Sequence, residues 1–182
     1  GALHSSGWGG PQDFVEARRL FGLAVSTGNN ARVQAALGLL HDTGKGGPQD
    51  FAQARRLYGL AASQGNADAL YNLGVLHEDG HGGPQNFVEA RRLYSIAAAQ
   101  GNADAQFALG LLHDTGDGGL QDLVEARRFY GLAAAQGHVN AQVNLGLLHS
   151  DGEGGPQDFF EARRLYSLAA AQGHARAQQL LN

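Results

Sequence analysis

The sequence repeats itself at an interval of 37 residues once and 36 thereafter, and this period limits the possible folds more than any other feature does. The segment Gly-Gly-Pro-Gln recurs with its proline at Pro11, Pro48, Pro84 and Pro156, and Leu120 stands where a fifth proline is expected. A period of about 20–50 residues is typical of stacked repeat proteins, in which one unit cannot bury its apolar face alone. The period therefore predicts a single solenoid domain.

The pattern within one period predicts two helices. Asn86 and Glu89 have the spacing of a capping box, in which the Asn side chain accepts a backbone N–H and the Glu side chain reaches back. The helix that follows ends before Gly101, a residue suited to a left-handed C-terminal cap. Another helix is expected over residues 67–78, before Gly80. Only helices are expected, so the predicted fold class is all-α.

Apolar residues at helical spacing mark the faces that we expect to be buried. They are Phe87, Ala90, Tyr94 and Ala97 on one helix, and Ala69, Leu73 and Leu76 on the other. A glycine recurs in the middle of the 67–78 helix and its copies, at Gly38, Gly74, Gly110 and Gly146. A mid-helix glycine costs about 1 kcal/mol relative to alanine, so its recurrence predicts a close helix crossing that a side chain would block.

These residues together resemble a known repeat family. The pattern Ala-x-x-x-Leu-Gly-x-Leu-His, a glycine-rich turn and Glu-Ala-Arg-Arg-x-Tyr-x-x-Ala-Ala-x-Gln-Gly is similar to the Sel-1-like repeat (SLR), a relative of the tetratricopeptide repeat. The similarity covers essentially the whole chain. It implies a right-handed superhelical solenoid of antiparallel helix pairs that serves as an adaptor in protein complexes. The chain departs from the family pattern where an aromatic residue is usual, at His41, His77, His113 and His149.

Repeat boundaries follow from the alignment of the copies. Four complete repeats are expected at 31–66, 67–102, 103–138 and 139–174, with partial repeats at 1–30 and 175–182. The segment from Gly1 to His4 aligns with the end of a first helix, and the segment from Ala175 to Asn182 with the beginning of one. Two molecules placed head to tail would restore a split helix, but the contact is small against the entropy of association. We expect a monomer in dilute solution, with weak head-to-tail stacking.

Composition narrows the range of functions. The formal net charge is −4, and the chain has no cysteine. A nucleic-acid-binding surface needs clustered cations and a thiolate metal site needs cysteine, so neither is expected. No apolar run approaches the length that spans a bilayer, and no nucleophile recurs with a base at fixed spacing. We therefore expect no catalytic site, no metal, no cofactor and no membrane contact.

The histidine and arginine columns have structural interpretations. Histidines that recur once per repeat lie on the order of 10 Å apart by helix packing distances, too far apart to share one metal ion. We expect each of them to bond the neighbouring turn. Arginine pairs recur in the second helices, and the second arginine follows a glutamate by three positions, as in Glu89 and Arg92. This spacing predicts ion pairs on a solvated face and disfavours an anion-binding track.

Variable apolar positions on the first helices indicate a binding surface. The resemblance implies that these helices line the concave side of the superhelix. Two apolar columns, four residues apart, point away from the buried stripe, and two asparagines lie beside them. The predicted groove comprises Ala35, Leu39, Tyr71, Asn72, Val75, Phe107, Leu111, Val143, Asn144 and Leu147. Apolar and aromatic residues on a solvent-facing groove are typical of protein-binding sites; the alternative is that they only pack between adjacent repeats.

The favoured function is therefore a protein–protein interaction scaffold that holds a peptide or protein partner in this groove. One alternative is an enzyme or small-molecule binder of the β-lactam-recognising type, which is credited to a cysteine-rich branch of the family. That alternative predicts a deep pocket with a converging nucleophile and base, and a chain without cysteine departs from the branch. A second alternative is a structural spacer within a larger protein.

Overall fold

A computed structural model describes residues 13–181 of the chain. Within that range there are ten α-helices and no strand, which confirms the predicted fold class. The helices are α1 Phe14–Thr27, α2 Ala31–Thr43, α3 Phe51–Ala62, α4 Ala67–Asp79, α5 Phe87–Ala99, α6 Ala103–Thr115, α7 Leu123–Ala135, α8 Val139–Asp151, α9 Phe159–Ala171 and α10 Ala175–Leu180. The half-helix expected at Gly1 to His4 lies outside the described residues.

The chain divides into two compact units, an N-terminal unit (Gly1–Leu93) and a C-terminal unit (Tyr94–Asn182). Within each unit, helices that follow one another in the sequence pack side by side. The α2–α3 pair is antiparallel. Asp50, before α3, donates its N–H to the His41 carbonyl near the end of α2, at 2.9 Å. Gln64, after α3, donates to the Gln34 side chain near the start of α2, at 2.6 Å. The handedness of a superhelix stays a prediction.

Side-chain caps begin the second helix of each pair, as the sequence pattern predicts. Asp50 accepts the Gln53 N–H at 2.9 Å, and Asp158 accepts the Glu161 N–H at 2.9 Å. The predicted reciprocal bond, in which the glutamate side chain accepts the N–H of the cap residue, is wrong, however. The N–H of Asp158 is donated to the His149 carbonyl at 2.8 Å, so this donor is already satisfied without the glutamate. The glutamate is then free to bind an arginine three residues later.

The second arginine of each Arg-Arg pair makes the contact that the spacing predicts. Arg128 Nη2 lies 2.8 Å from a carboxylate oxygen of Glu125, and equivalent ion pairs form in α1, α5 and α9. In α3, where glutamine replaces the glutamate, Arg56 donates to Gln53 at 2.8 Å. The hydrogen bond from Arg128 lowers the pKa of Glu125. The prediction of a solvated, self-neutralised face is confirmed for the second arginine of the four pairs that have a glutamate.

The recurrent mid-helix glycine makes room for a tyrosine ring of the paired helix. A Cβ atom on Gly110 would lie 2.6 Å from Tyr130 Cδ1, and one on Gly146 would lie 2.5 Å from Tyr166 Cε1. Tyr130 is 0% exposed, so its ring has no free space into which it could move. The predicted close crossing is confirmed, and the ring is the group that requires it.

The first helices begin at an asparagine or histidine cap. The Asn66 side chain accepts the Ala69 N–H at 2.8 Å. His138 takes the same position in a later repeat, and its Nδ1 accepts the Ala141 N–H at 3.2 Å. His174 caps α10 in the same way. His138 and His174 are therefore helix-start residues.

Candidate protein-binding cleft

An open cleft lies between α2 and α4, the first helices of two consecutive repeats in the N-terminal unit. We call it the α2/α4 cleft; it is lined by Arg32, Ala35, Ala36, Leu39, Asn66, Asp68 and Asn72. Its volume is about 320 Å³. Ligand pockets range over roughly 300–1,000 Å³, so this cleft suits one or two amino-acid side chains better than a large ligand.

Three members of the predicted groove lie in this cleft. They are Ala35, Leu39 and Asn72, so α2 and α4 bring together residues that are far apart in the sequence. Leu39 is 48% exposed, although it lies within a helix whose neighbouring leucines are buried. An exposed leucine beside a concave surface is the kind of group that a partner side chain can cover.

Polar groups complete the lining, and the sequence analysis missed several of them. Arg32 is exposed, and Asn72 is half-buried with an amide that can both donate and accept hydrogen bonds. Asn66 and Asp68 line the opposite side of the cleft, at the start of α4. The sequence did carry a signal for Arg32: the equivalent positions in the later repeats hold Asp68, Asp104 and Asn140. The positive charge recurs at Arg176 in the last, partial repeat, and a search for apolar columns overlooks such changes of charge.

Tyr71 and Val75 are the other groove members in the N-terminal unit. Both lie on α4 and are half-buried. Neither lines the α2/α4 cleft itself, although Asn72 between them does. The structure therefore places them beside the cleft along the same helix.

In the C-terminal unit, Phe107 packs between consecutive repeats. Its ring stacks on the imidazole of His138 at a centroid distance of 4.5 Å and lies 5.8 Å from the Tyr130 ring. Leu111 is half-buried against the core cluster that contains Tyr130. The alternative interpretation, that groove members pack between adjacent repeats, therefore describes the position of Phe107.

Val143 differs from the solvent-facing position that the sequence analysis expected. Its side chain is 2% exposed and packs with Ala169 and Ala177, while Leu147 lies against this cluster. The reason is that α8 is apolar on more than one face, and a helix of that kind is buried on more than one side. Val143 and Leu147 pack with residues of α9 and α10, whereas Leu145 packs in a cluster made mainly of residues of α7 and α8.

The side chain of Asn144 makes a hydrogen bond within the C-terminal unit. Its side chain hydrogen-bonds the hydroxyl of Tyr130, which in turn donates to Asp114 Oδ2 at 3.0 Å. Burial raises the pKa of Tyr130, so this hydroxyl keeps its proton and remains a donor at neutral pH. Asn144 thus supports the buried tyrosine, while Asn72 faces the open cleft.

Two residue positions explain why one region is open and the other filled. Ala35 and Asn66 line the α2/α4 cleft, and their equivalents two repeats later are Phe107 and His138. The small alanine and the short asparagine leave a space between consecutive first helices. The stacked rings of Phe107 and His138 occupy the equivalent space. Side-chain volume at these two positions therefore decides whether a cleft exists.

Among residues 13–181 there is no group of three or more His, Cys, Asp or Glu side chains that could hold a metal ion. None of the helices in the described part of the chain is long and apolar enough to cross a membrane.

Comparison with protein families matches the Sel1 repeat to residues 1–29, 31–66, 67–102, 103–138 and 139–174. Comparison with curated proteins gives no match. Among solved structures, the chain is similar to a protective antigen of uropathogenic Escherichia coli that displays an SLR fold. The TM-score is 0.93 and the identity 30%, over 99% of this chain. This chain spans 38% of the length of that antigen.

Two further structures are similar. A Sel1 repeat protein of Oxalobacter formigenes has a TM-score of 0.89 and 29% identity, over 99% of this chain and 71% of the other. Helicobacter pylori cysteine rich protein B has a TM-score of 0.58 and 19% identity, over 73% of this chain and 96% of the other. At that identity the second similarity concerns the fold alone.

Proposed function

The chain belongs to the Sel1 repeat family, whose members are generally protein–protein interaction scaffolds, and we propose that it binds an extended segment of a partner protein in the α2/α4 cleft. The observation that carries the proposal is the open space between two first helices, with Leu39 48% exposed at its edge. Loss of that exposed apolar area on binding would favour the complex.

The chemistry of the lining indicates what kind of segment would fit. Ala35, Ala36 and Leu39 offer an apolar surface for one partner side chain. The Asn72 amide can bond a peptide group of the partner, because an extended peptide presents both a donor and an acceptor. Arg32 lies on the same lining and is exposed, so its guanidinium can bind a carboxylate of the partner. We therefore propose a segment with a large apolar residue next to an acidic residue.

The proposed contact is centred on part of the groove that the sequence indicates. Ala35, Leu39 and Asn72 form its centre, with Tyr71 and Val75 beside it. The members in the C-terminal unit have a different proposed role. Because they pack against neighbouring helices, we propose that Phe107, Leu111, Val143, Asn144 and Leu147 hold consecutive repeats together.

The residues that line the cleft favour a catalytic role less than a binding role. None of its seven residues, all within the described range, carries a hydroxyl or thiol nucleophile. Its volume is also small for a site that encloses a drug-sized molecule. A binding role therefore fits the lining better than a catalytic one.

Selection from a random peptide library displayed on phage, with the whole chain as bait, tests the proposed function. We expect enriched sequences to share a large apolar residue with an Asp or Glu nearby. The variant Arg32→Glu should shift the preference from acidic to basic residues, because it reverses the charge at the cleft. The matched control Arg56→Glu lies on α3 outside the cleft and should leave the preference unchanged. Absence of enrichment, or equal effects of the two variants, would count against the proposal.

A further inference from the structure

A contact between arginine and histidine recurs at the same place in three repeats. The first arginine of an Arg-Arg pair, on a second helix, lies against the histidine near the end of the following first helix. The Nη2–Nδ1 distances are 2.8 Å for Arg18 and His41, 2.5 Å for Arg55 and His77, and 2.6 Å for Arg127 and His149. We call these three pairs the clasps. The sequence analysis missed them and expected the histidines to bond only the neighbouring turn.

The clasp arginines also bind the glycine-rich loop of the following repeat. Arg18 donates from both terminal nitrogens to the Pro48 carbonyl at 3.0 Å. Arg127 donates to the carbonyls of Glu153 and Pro156 at 3.3 and 3.1 Å. One side chain thus connects a second helix to both the next helix and the next loop. Loss of the histidine contact would weaken the whole connection.

The clasp requires one protonation state of the imidazole. A guanidinium only donates hydrogen bonds, so Nδ1 must present a lone pair and the ring proton must lie on Nε2. Protonation of Nδ1 removes the acceptor and places a second positive charge beside the arginine. The same contact then changes from a hydrogen bond to a repulsion.

We propose that the clasps form an acid-sensitive connection between consecutive helix pairs, which loosens when His41, His77 and His149 take up protons. The geometry carries the proposal, because the same donor, acceptor and loop contacts occur at three equivalent positions. Loosening would separate α1 from α2, α3 from α4 and α7 from α8. It would leave the antiparallel pairs themselves, such as α2 with α3, joined by their own core.

The charges around each ring have opposing effects. For His41 they are Arg18, Asp50 and Arg56; for His77, Arg55, Glu89 and Arg92; for His149, Arg127, Asp158, Glu161 and Arg164. The carboxylates favour the charged imidazole and the arginines oppose it. Burial is the largest influence on all three rings and lowers the pKa of each, and the clasp arginine adds to this effect.

The direction of these shifts defines the pH window. A histidine whose pKa is lower in the folded chain takes up a proton on unfolding. The stability that the clasps contribute is therefore complete above the unfolded value of about 6.5 and is lost as the pH falls toward the folded pKa. Two other groups respond differently. The lowered pKa of Glu125 acts below pH 4.5, its ordinary value, and burial raises the pKa of Asp42, which favours the fold in acid.

The triple variant His41→Asn/His77→Asn/His149→Asn tests the proposal. Asparagine Oδ1 can replace Nδ1 as an acceptor for arginine, but it cannot be protonated in this range. Each proton taken up can change the unfolding constant up to about tenfold per pH unit. From about pH 7.5 to about pH 5.5, we expect the unfolding constant of the parent to rise at least about tenfold more than that of the variant. The other histidines, His113, His138 and His174 among them, are the same in both proteins.

Two measurements on the parent chain keep the test decisive if the variant does not fold. Histidine NMR titration should give pKa values below about 6.5 for the three clasp rings. Hydrogen exchange followed by NMR, corrected for its intrinsic pH dependence, should show that the guanidinium protons of Arg18 and Arg127 lose protection near pH 5.5. The amides of Asp50 and Asp158, which bond within a helix pair, should keep their protection. Clasp pKa values at or above 6.5, or equal pH dependence in parent and variant, would overturn the proposal.

Discussion

The α2/α4 region and the α6/α8 region are built on the same repeat, yet one is open and the other is filled. In the first, Ala35 and Asn66 leave a space of about 320 Å³ beside an exposed Leu39. In the second, Phe107 and His138 stack at 4.5 Å over the equivalent position. The repeat scaffold alone therefore does not determine whether a groove exists. Two variable side chains per repeat do so, while the helix pairs beneath them stay the same.

The largest effect on stability is expected where the region is filled. Phe107→Ala removes a ring that packs on Tyr130 and His138, and the free energy of unfolding should fall by about 3 kcal/mol. Leu39→Ala is the matched control, because Leu39 is 48% exposed; its cost should be under about 1 kcal/mol. Denaturant unfolding of both variants checks the contrast. Similar losses at the two positions would mean that the cleft is not open.

The glycine columns should respond alike in both regions, because the helix pairs are the same. Gly110→Ala brings a Cβ within 2.6 Å of Tyr130 and should cost about 2 kcal/mol. Gly38→Ala brings one within 2.8 Å of Tyr58 and should cost a similar amount. On the outer side of α7, Gly131 has nothing within 4 Å of a Cβ, so Gly131→Ala should stabilise by up to about 1 kcal/mol. Thermal or denaturant unfolding distinguishes these signs, and a stabilising Gly110→Ala would contradict the packing described.

Peptide affinity should depend on the open region alone. Leu39→Ala removes apolar surface at the cleft, so the Kd of a selected peptide should rise by at least about fivefold, the loss of about 1 kcal/mol typical of an interface residue. The exposed Leu132 on α7, 42% accessible, provides the control, since Leu132→Ala removes a similar surface elsewhere. Fluorescence anisotropy measures both. If Leu132→Ala weakens binding as much, the peptide contacts another face of the chain.

The smallest effect is expected at the surface ion pairs. Glu125→Gln in α7 reproduces the Gln53–Arg56 pair that α3 already has, and an exposed pair of this kind contributes about 0.5 kcal/mol or less. Because Arg128 lowers the pKa of Glu125, the contribution is present above pH 4.5 and is lost as the pH falls below it. Unfolding at pH 7 and pH 3.5 compares the two proteins. A loss well above 0.5 kcal/mol at pH 7 would show that the pair is not solvated as described.

Much of the fold could be predicted from the sequence, because caps, glycines and apolar stripes are local signals that recur. The bounds of α4, the N-terminal caps and the space beside Gly110 all follow from such signals. The reciprocal capping bond expected of Glu161 was wrong, because the N–H that it would satisfy is instead donated to the carbonyl of His149, a residue of another helix. The clasps were missed for the same reason: Arg127 and His149 are 22 residues apart and meet only after packing.

The solvent exposure of the predicted groove residues was predicted only in part, and the reason is geometric. An apolar residue beside a buried stripe can face solvent or the next repeat, and the sequence does not distinguish the two. Val143 and Leu39 look equivalent as apolar members of neighbouring columns, yet one is 2% and the other 48% exposed. What separates them is contact with neighbouring helices, since Val143 packs on Ala169 and Ala177. The packing of consecutive helices covers one position and leaves the other open, and a pattern within one helix does not contain that information.

The most direct test of the cleft closes it with side chains that the chain itself uses. The variant Ala35→Phe/Asn66→His transfers the Phe107–His138 pair to the α2/α4 region, where the stacked rings should fill the cleft. Titration calorimetry with a peptide selected on the parent chain measures the consequence. We predict that affinity falls at least about tenfold while the unfolding midpoint stays the same or rises, since the new pair adds ring stacking. Unchanged affinity in a variant that folds normally would contradict the proposal that the α2/α4 cleft is where the partner binds.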